Sequence, residues 1–286
     1  MITLITGSNG QLGLTLKSIT KKNPSFFYTD KQSLDITKKD KLESFIKKFK
    51  ISCIINCAAY TDVDQAEIEK QEAYKVNCDA VKNLSDISKN YNLKLIHIST
   101  DYVYNGVDNS PLSEETLTDP LNYYGKSKRE GEEHILNSDS ESIIIRTSWL
   151  YSRFGKNFVK NIIKNSKIKS SLDIVGDQFG CPTNALDLAS AIITIIDKNI
   201  KFDYSSKIYN YSNLGYTTWF NFAKFIINEI SHRFDLKLNK IETGKTNQLA
   251  VRPKFTVTDK TKIMNTFDLK IPHWEDSLEK FLKKEI

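Results

Sequence analysis

The sequence predicts an α/β fold, in which a Rossmann-type, doubly wound parallel sheet is followed by a smaller, partly interleaved C-terminal domain. A short apolar strand at the N-terminus runs directly into a glycine-rich turn and a helix. Apolar strand-like runs then alternate with single helices as far as residue 150. Strands separated by single helices require right-handed crossovers and form a parallel sheet with helices on both faces. Ligands bind such a sheet beyond the carboxyl ends of its strands.

The hydrophobic pattern predicts the elements of the first half in order. Strands are expected at 1–6, 26–29, 51–58, 93–99 and 142–147. Helices are expected from the glycine-rich turn to about residue 22, over 38–50, over 71–90 and, after a polar loop at 105–121, around Tyr124.

The pattern becomes less regular after residue 150, where helices are predicted over 156–167, 185–197 and 217–233. We therefore divide the chain into a Rossmann domain, 1–150, and a second domain, 151–286. Segments near 185–212 are expected to return to the first domain, because the helix at 185–197 and the apolar run at 208–211 could both pack on its sheet.

Three glycines, Gly7, Gly10 and Gly13, follow the first strand. Their spacing is one residue wider in its first gap than the dinucleotide-binding fingerprint. Glycines here let the backbone turn tightly and approach a pyrophosphate, and the helix N-terminus offers unpaired N–H groups to the phosphates. Asp30, at the end of the second strand, is placed to bind an adenosine ribose. A turn that merely contains three glycines is the alternative.

Tyr124 and Lys128 lie four residues apart on a predicted helix and therefore share one of its faces. A free tyrosine titrates near pH ~10, so its phenol catalyses proton transfer at neutral pH only if a nearby cation stabilises the anion. Lys128 and a positively charged nicotinamide could jointly do so. Downstream of a cofactor-type turn the pair indicates hydride-transfer chemistry. The alternative is a tyrosine packed beside a solvated lysine.

The composition is typical of a cytoplasmic protein that acts on small molecules. No stretch of the 286 residues is apolar for long enough to cross a bilayer, and the chain begins in a strand rather than a signal segment. The four cysteines form no Cys-x-x-Cys pair and the four histidines lack metal-ligand spacing, so no metal site is expected. His97 is expected to be a packed strand residue.

Charge is divided unevenly along the chain. Residues 1–150 carry a net charge of −2 and residues 151–286 carry +8, which together give +6. A cationic cleft in the second half would attract an anion such as a nucleotide diphosphate, but a lysine-rich surface explains the charge equally well. Nucleic-acid binding is not expected, because no arginine-rich stripe with interleaved aromatic residues is present.

Six blocks of sequence follow one another at 5–13, 56–64, 97–104, 124–128, 146–151 and 176–183. In this order they resemble the extended short-chain dehydrogenases/reductases, and among these the dTDP-4-dehydrorhamnose reductases. The blocks most specific to the reductases are Ala-Ala-Tyr-Thr-x-Val-Asp at 58–64, Ser-Thr-Asp-Tyr-Val at 99–103 and Asp-Gln-x-Gly-x-Pro-Thr at 177–183. The resemblance extends over nearly the whole chain.

The resemblance implies reduction of a dTDP-sugar, dTDP-4-dehydro-L-rhamnose, by NADPH or NADH for the synthesis of rhamnose-containing polysaccharides. It makes Tyr124 the proton donor, assigns the nicotinamide ribose and a lowering of the tyrosine pKa to Lys128, and assigns orientation of the sugar ketone to Thr100. Cofactor contacts are further implied for Gly7, Gly10, Gln11, Leu12, Gly13, Asp30, Asp35, Ile36, Ala59, Tyr60 and Thr61. Substrate contacts are implied for Thr100, Asp101, Trp149 and Arg252.

Some implied features leave alternatives open. Asn77 falls where related enzymes place an asparagine that supports the catalytic lysine through water, but a helix residue facing solvent is equally consistent. Arg252 is expected to bind the substrate diphosphate, with an exposed turn arginine as an equal alternative. A homodimer is compatible with the resemblance. Some relatives hold a divalent ion between subunits, but Thr15 stands where a glutamate would help, so no metal is predicted.

Other functions compete with this interpretation. Nucleotide-sugar 4,6-dehydratases and epimerases share the fold, but a dehydratase carries a glutamate after the Thr-Asp pair, whereas Tyr102 follows Asp101 here. A reductase of a different 4-keto-6-deoxy nucleotide sugar is left open, because the shape of the pocket, which the motifs do not define, decides the configuration of the sugar. A non-catalytic NAD(P)-binding regulatory subunit is disfavoured, because Thr100, Tyr124 and Lys128 are all present.

Overall fold

A computed structural model of the chain describes residues 1–107, 109–198, 202, 207–230 and 236–285. The strands are β1 (Thr3–Thr6), β2 (Phe26–Tyr28), β3 (Cys53–Asn56), β4 (Lys94–Thr100), β5 (Ser142–Thr147), β6 (Leu150–Tyr151), β7 (Ser171–Val175), β8 (Phe179–Gly180), β9 (Thr183–Asn184), β10 (Ile208–Asn210), β11 (Thr217–Thr218) and β12 (Lys237–Ile241). The α-helices are α1 (Gln11–Thr20), α2 (Lys39–Phe49), α3 (Gln65–Ile68), α4 (Lys70–Tyr74), α5 (Ala80–Asn90), α6 (Tyr123–Leu136), α7 (Phe158–Ser166), α8 (Ala185–Asp197), α9 (Trp219–Ile230), α10 (Thr261–Phe267) and α11 (Trp274–Glu285).

Six of the strands form one sheet in the order β10-β5-β4-β3-β1-β2. Every neighbouring pair in it is parallel. The chain leaves β1 on one side to form β2 and returns on the other side to form β3, so the strand order reverses between β1 and β3. A crevice that can hold a ligand opens at such a switch point, beyond the carboxyl ends of the strands. The predicted doubly wound parallel sheet is confirmed.

Helices cover both faces of the sheet. On one face, α1 and α8 pack on the strands through buried Leu12, Leu16, Leu188 and Ile192. On the other face, α2 and α5 pack through buried Leu42, Ile46, Val81 and Leu84. Because both faces are covered, the central strands are apolar on both sides, as Cys53, Ile54 and Ile55 of β3 illustrate.

The chain returns to this sheet after residue 150. Strand β10 pairs in parallel with β5, with Ile208 beside Ile144. A separate core forms between α7, α9 and α11 around Ile162, Phe222 and Trp274. The predicted helix at 217–233 begins instead as the short strand β11 and continues as α9, and residues 231–233 lie outside the described residues. The division into domains at residue 150 stays a prediction.

Residues 71–90 are helical as predicted, but the helix is not a regular α-helix throughout. Between α4 and α5 the chain forms a π-helical turn at Lys75–Asp79. Such a turn inserts one extra residue, and here it turns Asn77 fully into the interior. Helix α6 packs closely against the turn, because a Cβ atom at Gly131 would lie 2.0 Å from the carbonyl oxygen of Asn77. The tertiary contact therefore overrides the regular helix.

A buried ion pair connects α6 to β5. The Arg146 guanidinium donates to both carboxylate oxygens of Glu132, from Nε at 2.9 Å and from Nη2 at 2.6 Å. Ser99 of β4 donates to the same carboxylate at 2.5 Å, and Arg146 Nη1 donates to the hydroxyl of Tyr104 at 2.8 Å. Glu132 is 0% exposed and Arg146 is 2% exposed, so neither charge can be hydrated. These hydrogen bonds take the place of those that the two groups would otherwise make to water.

We expect Glu132→Gln to lower the free energy of unfolding by about 3–5 kcal/mol, because Arg146 would keep a buried charge without its partner. Urea unfolding followed by circular dichroism measures the loss. Lys39→Met is the matched control, because Lys39 forms a 2.9 Å pair with Asp86 at the surface and should cost less than about 1 kcal/mol. Equal losses in the two variants would show that the buried pair does not hold α6 in place.

Candidate active site

A cleft runs along the carboxyl edge of the sheet at the switch point. It contains one cavity of about 460 Å³ and a second of about 420 Å³, and both have Gly10, Cys57 and Ala59 in their walls. The two cavities are thus parts of one groove. The first lies beside the loops that follow β1, β2 and β3, and the second lies beside the ends of β4 and β5 and the start of α6.

Most of the residues implied by the resemblance line this groove. The first cavity is lined by Gly7, Gly10, Asp30, Asp35, Ile36, Ala59 and Tyr60. The second is lined by Gly10, Gln11, Leu12, Ala59, Thr61, Thr100, Asp101, Tyr124, Lys128 and Trp149. Gly13 and Arg252 are in neither wall as the structure describes them.

The glycine-rich turn has the close backbone approaches that a dinucleotide site requires. Gly7 has a φ of +64°, and a Cβ atom there would lie 2.5 Å from the backbone nitrogen of Ala58. Gly13 packs directly beneath the turn, and a Cβ atom there would lie 2.4 Å from the Gly7 carbonyl oxygen. Only glycine fits at this position. No side chain caps the N-terminus of α1 at Gly10. Its first N–H groups can therefore bind a phosphate, and the turn fits a pyrophosphate.

The wall of the first cavity includes the Asp30 carboxylate, whose direction is fixed by hydrogen bonds within the turn that follows it. Asp30 Oδ1 accepts hydrogen bonds from the backbone nitrogens of Ser33 at 2.8 Å and Gln32 at 3.1 Å, and its other oxygen accepts from the Asn9 side chain. The hydrogen bonds from Ser33 lower the pKa of Asp30. The carboxylate is thus ionised and fixed in direction. Lys31 is also in the wall of this cavity.

The second cavity brings Tyr124 and Lys128 to one wall. Asn122 caps α6 by accepting from the backbone nitrogen of Gly125 at 2.8 Å, which places Tyr124 in the first turn of the helix. A Cβ atom at Gly125 would lie 2.2 Å from the carbonyl oxygen of Tyr102, so α6 begins directly against the turn at Asp101–Val103. The tyrosine and lysine therefore face the ends of β4 and β5.

Burial sets the protonation of both side chains. It raises the pKa of Tyr124 to about 12, although a hydrogen bond with Thr100 opposes the rise. It lowers the pKa of Lys128 to about 8. Lys128 Nζ donates to the Ile98 carbonyl at 2.6 Å and lies 3.2 Å from His97 Nε2. Burial thus keeps the phenol protonated, as an acid must be, and a lowering of the Tyr124 pKa by Lys128 together with a bound nicotinamide stays a prediction.

Thr100 and Asp101 form the floor of the second cavity. The Thr100 hydroxyl lies 3.2 Å from Asp101 Oδ1 and accepts from the backbone nitrogen of Tyr102 at 3.2 Å. Burial raises the pKa of Asp101 to about 7. The Thr256 side chain lies close enough to the carboxyl group to oppose this rise in pKa, but Asp101 Oδ2 is buried and makes no hydrogen bond of ordinary geometry with the described residues. A polar group of a ligand could satisfy this oxygen.

Two implied substrate contacts have unexpected partners. Trp149 stacks on Trp219, with ring centroids 3.5 Å apart and an interplanar angle of 9°. Arg252 forms a two-pronged ion pair with Asp64, at 2.6 Å and 2.8 Å, and only 11% of its side-chain surface is exposed. The alternative of an exposed turn arginine is therefore wrong. A hydrogen bond from Arg252 lowers the pKa of Asp64 to about 2.

Asn77 connects the cofactor side of the groove to α6. Its side chain accepts from the Tyr60 backbone nitrogen at 2.9 Å, donates to the Tyr60 carbonyl at 3.0 Å and donates to Ser127 Oγ at 3.0 Å. Because Asn77 is 0% exposed, the alternative of a solvent-facing residue is wrong. A link to Lys128 through water stays a prediction.

Three residues of the site were missed by the sequence analysis. Trp219 belongs to no motif, so no signal pointed to it. Asp64 ends one of the reductase-specific blocks, and that position could have drawn attention to it. His97 was expected only to pack in a strand, which it does, but its ring also contacts Lys128.

Within the described part of the chain, each helix is too short or too polar to span a membrane. The same residues contain no group of three or more His, Cys, Asp or Glu side chains arranged to hold a metal ion.

A turn that fits a dinucleotide shares one groove with a protonated, buried tyrosine, and this places the chain among Rossmann-type oxidoreductases of the short-chain dehydrogenase/reductase class. More narrowly, the chain belongs to the family described as RmlD substrate binding domain, whose profile matches residues 1–286.

Individual relatives agree with this assignment. The chain is 38% identical over 283 residues to the dTDP-4-dehydrorhamnose reductase of Aggregatibacter actinomycetemcomitans, covering 96% of each protein. It is 28% identical over 280 residues to the dTDP-4-keto-6-deoxy-D-glucose reductase of Streptomyces niveus, covering 96% of this chain and 94% of that protein. It is also similar to the crystal structure of dTDP-4-dehydrorhamnose reductase from Bacillus anthracis in complex with NADP, with a TM-score of 0.91, 34% identity and coverage of 99% and 98%.

We expect Asn77→Ala to weaken NADP⁺ binding by about fivefold to tenfold, because the Tyr60 loop in the cofactor wall loses two hydrogen bonds. Fluorescence titration of the cofactor measures the change. Ser127→Ala is the control, since it removes the third contact of Asn77 and leaves both bonds to Tyr60. Equal weakening in both variants would assign the effect to α6 rather than to the Tyr60 loop.

Proposed function

We propose that this protein reduces the 4-keto group of dTDP-4-dehydro-L-rhamnose to form dTDP-L-rhamnose, with NADPH or NADH as the hydride donor. The observation that carries the proposal is the protonated Tyr124 phenol, which shares a wall with Thr100 and Lys128 in the same groove as the glycine-rich turn. The names of the relatives, at up to 38% identity over 96% of the chain, support the choice of substrate.

The site residues act on the ketone as follows. Thr100 orients the ketone oxygen by a hydrogen bond. Tyr124, which is protonated at neutral pH, donates its phenolic proton to the alkoxide that forms at C4. Lys128 holds the nicotinamide ribose and, in its charged form, stabilises the tyrosine anion that remains. The nicotinamide, when bound, supplies the hydride.

Two sets of residues hold the dinucleotide in this proposal. The first turn of α1, at Gly10, Gln11 and Leu12, binds the pyrophosphate through backbone N–H groups. The adenosine and the rest of the cofactor lie against Gly7, Asp30, Asp35, Ile36, Ala59, Tyr60 and Thr61, while Gly13 supports the turn from beneath.

The sugar nucleotide occupies the second cavity. Trp149 packs on the sugar ring, and its stacking on Trp219 holds the indole in place. Asp101 bonds a sugar hydroxyl with its unpartnered oxygen. Arg252 binds the diphosphate with the N–H donors of Nε and Nη2 that its bonds to Asp64 and to the Ala250 carbonyl do not use.

We place this reaction in the cytoplasm and expect a homodimer.

A reductase of a different 4-keto-6-deoxy nucleotide sugar is the second candidate. The Streptomyces niveus relative, a dTDP-4-keto-6-deoxy-D-glucose reductase, favours it at 28% identity. Both reactions use the same chemistry at C4. The configuration of the sugar is therefore selected by the walls around Trp149 and Asp101 rather than by Tyr124.

The direct test supplies purified protein and NADPH with each sugar nucleotide in turn and follows the nicotinamide absorbance, with the product identified by NMR. We expect a higher kcat/KM for dTDP-4-dehydro-L-rhamnose and dTDP-L-rhamnose as product. A preference for dTDP-4-keto-6-deoxy-D-glucose would support the second candidate. Tight NADPH binding without oxidation by either sugar would contradict both.

Tyr124→Phe should reduce kcat by roughly 10²–10⁴-fold, the range for loss of a general acid, and should leave NADPH binding nearly unchanged. Steady-state kinetics and cofactor titration measure the two effects. Lys128→Met should reduce both kcat and cofactor affinity. A fully active Tyr124→Phe variant would remove the proton-transfer role, and a Lys128→Met variant impaired only in affinity would make Lys128 a binding residue alone.

Cofactor choice should depend on Asp30 and Lys31 together. The carboxylate favours a free 2′-hydroxyl and Lys31 favours a 2′-phosphate. Because solvent screens exposed charges, neither preference is strong, and we expect both NADH and NADPH to be used. Asp30→Ala should shift the ratio of the two kcat/KM values towards NADPH, and Lys31→Ala should shift it towards NADH. Unchanged ratios in both variants would show that neither residue contacts the 2′ position.

A further inference from the structure

A buried chain of polar side chains lies behind Lys128, and no step proposed above uses it. His97 Nε2 lies 3.2 Å from Lys128 Nζ, and His97 Nδ1 lies 2.9 Å from Asn56 Nδ2. Asn56 Oδ1 in turn accepts from Thr6 Oγ1 at 2.7 Å. Thr6, Asn56 and His97 are 0% exposed and Lys128 is 1% exposed, so each polar atom must find its partner within the protein.

The backbone fixes the direction of these hydrogen bonds. The Ala58 N–H points at Asn56 Oδ1 from 3.2 Å, and because an N–H can only donate, that atom of Asn56 must be the oxygen. The amide nitrogen of Asn56 therefore faces His97 Nδ1, which must present a lone pair. Burial and the proximity of Lys128 hold the pKa of His97 well below its ordinary value, so the ring is neutral. Its single proton then lies on Nε2.

An Nε2–H directed at Lys128 opposes the charged form of the lysine. An ammonium group has three donors and no lone pair, so it cannot accept this bond. A neutral amine can accept from His97 and still donate to the Ile98 carbonyl at 2.6 Å. The effect has the same sign as burial, which lowers the pKa of Lys128 to about 8.

We propose that His97 is a positioning residue for Lys128. The Nε2–H of His97, whose direction is fixed by Asn56 and Thr6, holds Nζ of the neutral amine beside the Ile98 carbonyl. It thereby favours the neutral amine over the ammonium form. The tautomer follows from the hydrogen bonds alone. The consequence for catalysis rests on the role given to Lys128 in the proposed function. In that role, His97 sets the pH above which Lys128 stops binding the cofactor as a cation.

Other titratable groups also face Lys128. Cys57, just beyond β3, is held protonated because burial raises the pKa of its thiol to about 12. Glu132, on the same helix as Lys128, is paired with Arg146. Tyr124 shares the wall of the cavity and is protonated. The charge of Glu132 opposes the lowering of the Lys128 pKa, but its replacement would also break the pair with Arg146. His97 lies 3.2 Å from Nζ and can be replaced without breaking that pair.

The tautomer can be measured by ¹⁵N NMR of histidine-labelled protein. The chain has four histidines, and the signals of His97 are those that disappear in His97→Gln. We expect a protonated Nε2 and an unprotonated Nδ1 at neutral pH. A proton on Nδ1, or a charged ring, would overturn the proposal whatever the substrate of the protein is.

The effect on Lys128 can be measured through the pH dependence of NADPH binding. For the unaltered protein, affinity should fall as the pH rises through about 8, the pKa of Lys128, and Lys128→Met should lose this dependence. In His97→Gln a carbonyl oxygen can turn towards Nζ, so the midpoint should move to higher pH with near-normal affinity at neutral pH. In His97→Leu the opposing Nε2–H is removed without a new acceptor, so the midpoint should again move to higher pH, but by less than in His97→Gln.

A midpoint in His97→Gln that stays in place or moves to lower pH would contradict the proposal. If His97→Leu does not fold, His97→Gln and the NMR measurement still decide the question. Because these readouts involve only the protein and NADPH, they stay valid if neither dTDP-sugar is reduced. Failure of the proposed function is thus distinguishable from failure of this inference.

Discussion

The buried pair of Glu132 and Arg146 is the interaction on which the geometry of the cleft depends. Glu132 lies one helical turn after Lys128, and its carboxylate also accepts from Ser99, the residue before Thr100. One ion pair thus fixes the helix that carries the tyrosine and the strand that carries the threonine. Two charges removed from water are tolerated only when their hydrogen bonds are complete, and Ser99 and Tyr104 help to complete them.

The same burial that requires this pairing also sets the chemistry of the cleft. It raises the pKa of Tyr124 to about 12 and lowers that of Lys128 to about 8, so each side chain is moved towards its neutral form. A reductase needs a proton on the phenol before the hydride arrives and a positive charge nearby afterwards. The first requirement is met by an ordinary phenol at neutral pH, and burial reinforces it. The second depends on how readily Lys128 stays charged, and its contact with His97 acts at that point.

The sequence predicted the features that depend on local pattern. The glycine-rich turn, the alternation of strands and helices and the helix at 185–197 follow from periodicity and turn chemistry, and the structure has them in the same places. The π-helical turn at Lys75–Asp79 could not be predicted, because its cause is the contact of Asn77 with Tyr60 and Gly131.

The site shows the same division between local and long-range information. The motifs identified which residues line the groove, because strand ends in a parallel sheet meet at one edge. The partners of those residues depend on distant parts of the chain. Trp219 lies 70 positions from Trp149, and Arg252 lies 188 positions from Asp64. No spacing rule in the sequence connects residues so far apart, so these contacts required the three-dimensional structure.

The most direct test of this account is a crystal structure of the protein in complex with NADP⁺. The account predicts the pyrophosphate beside the first turn of α1 at Gly10–Leu12, with the nicotinamide ribose within hydrogen-bond distance of Lys128 and Tyr124. A dinucleotide bound in the groove with its nicotinamide remote from Tyr124, or a pyrophosphate bound away from the glycine-rich turn, would contradict it.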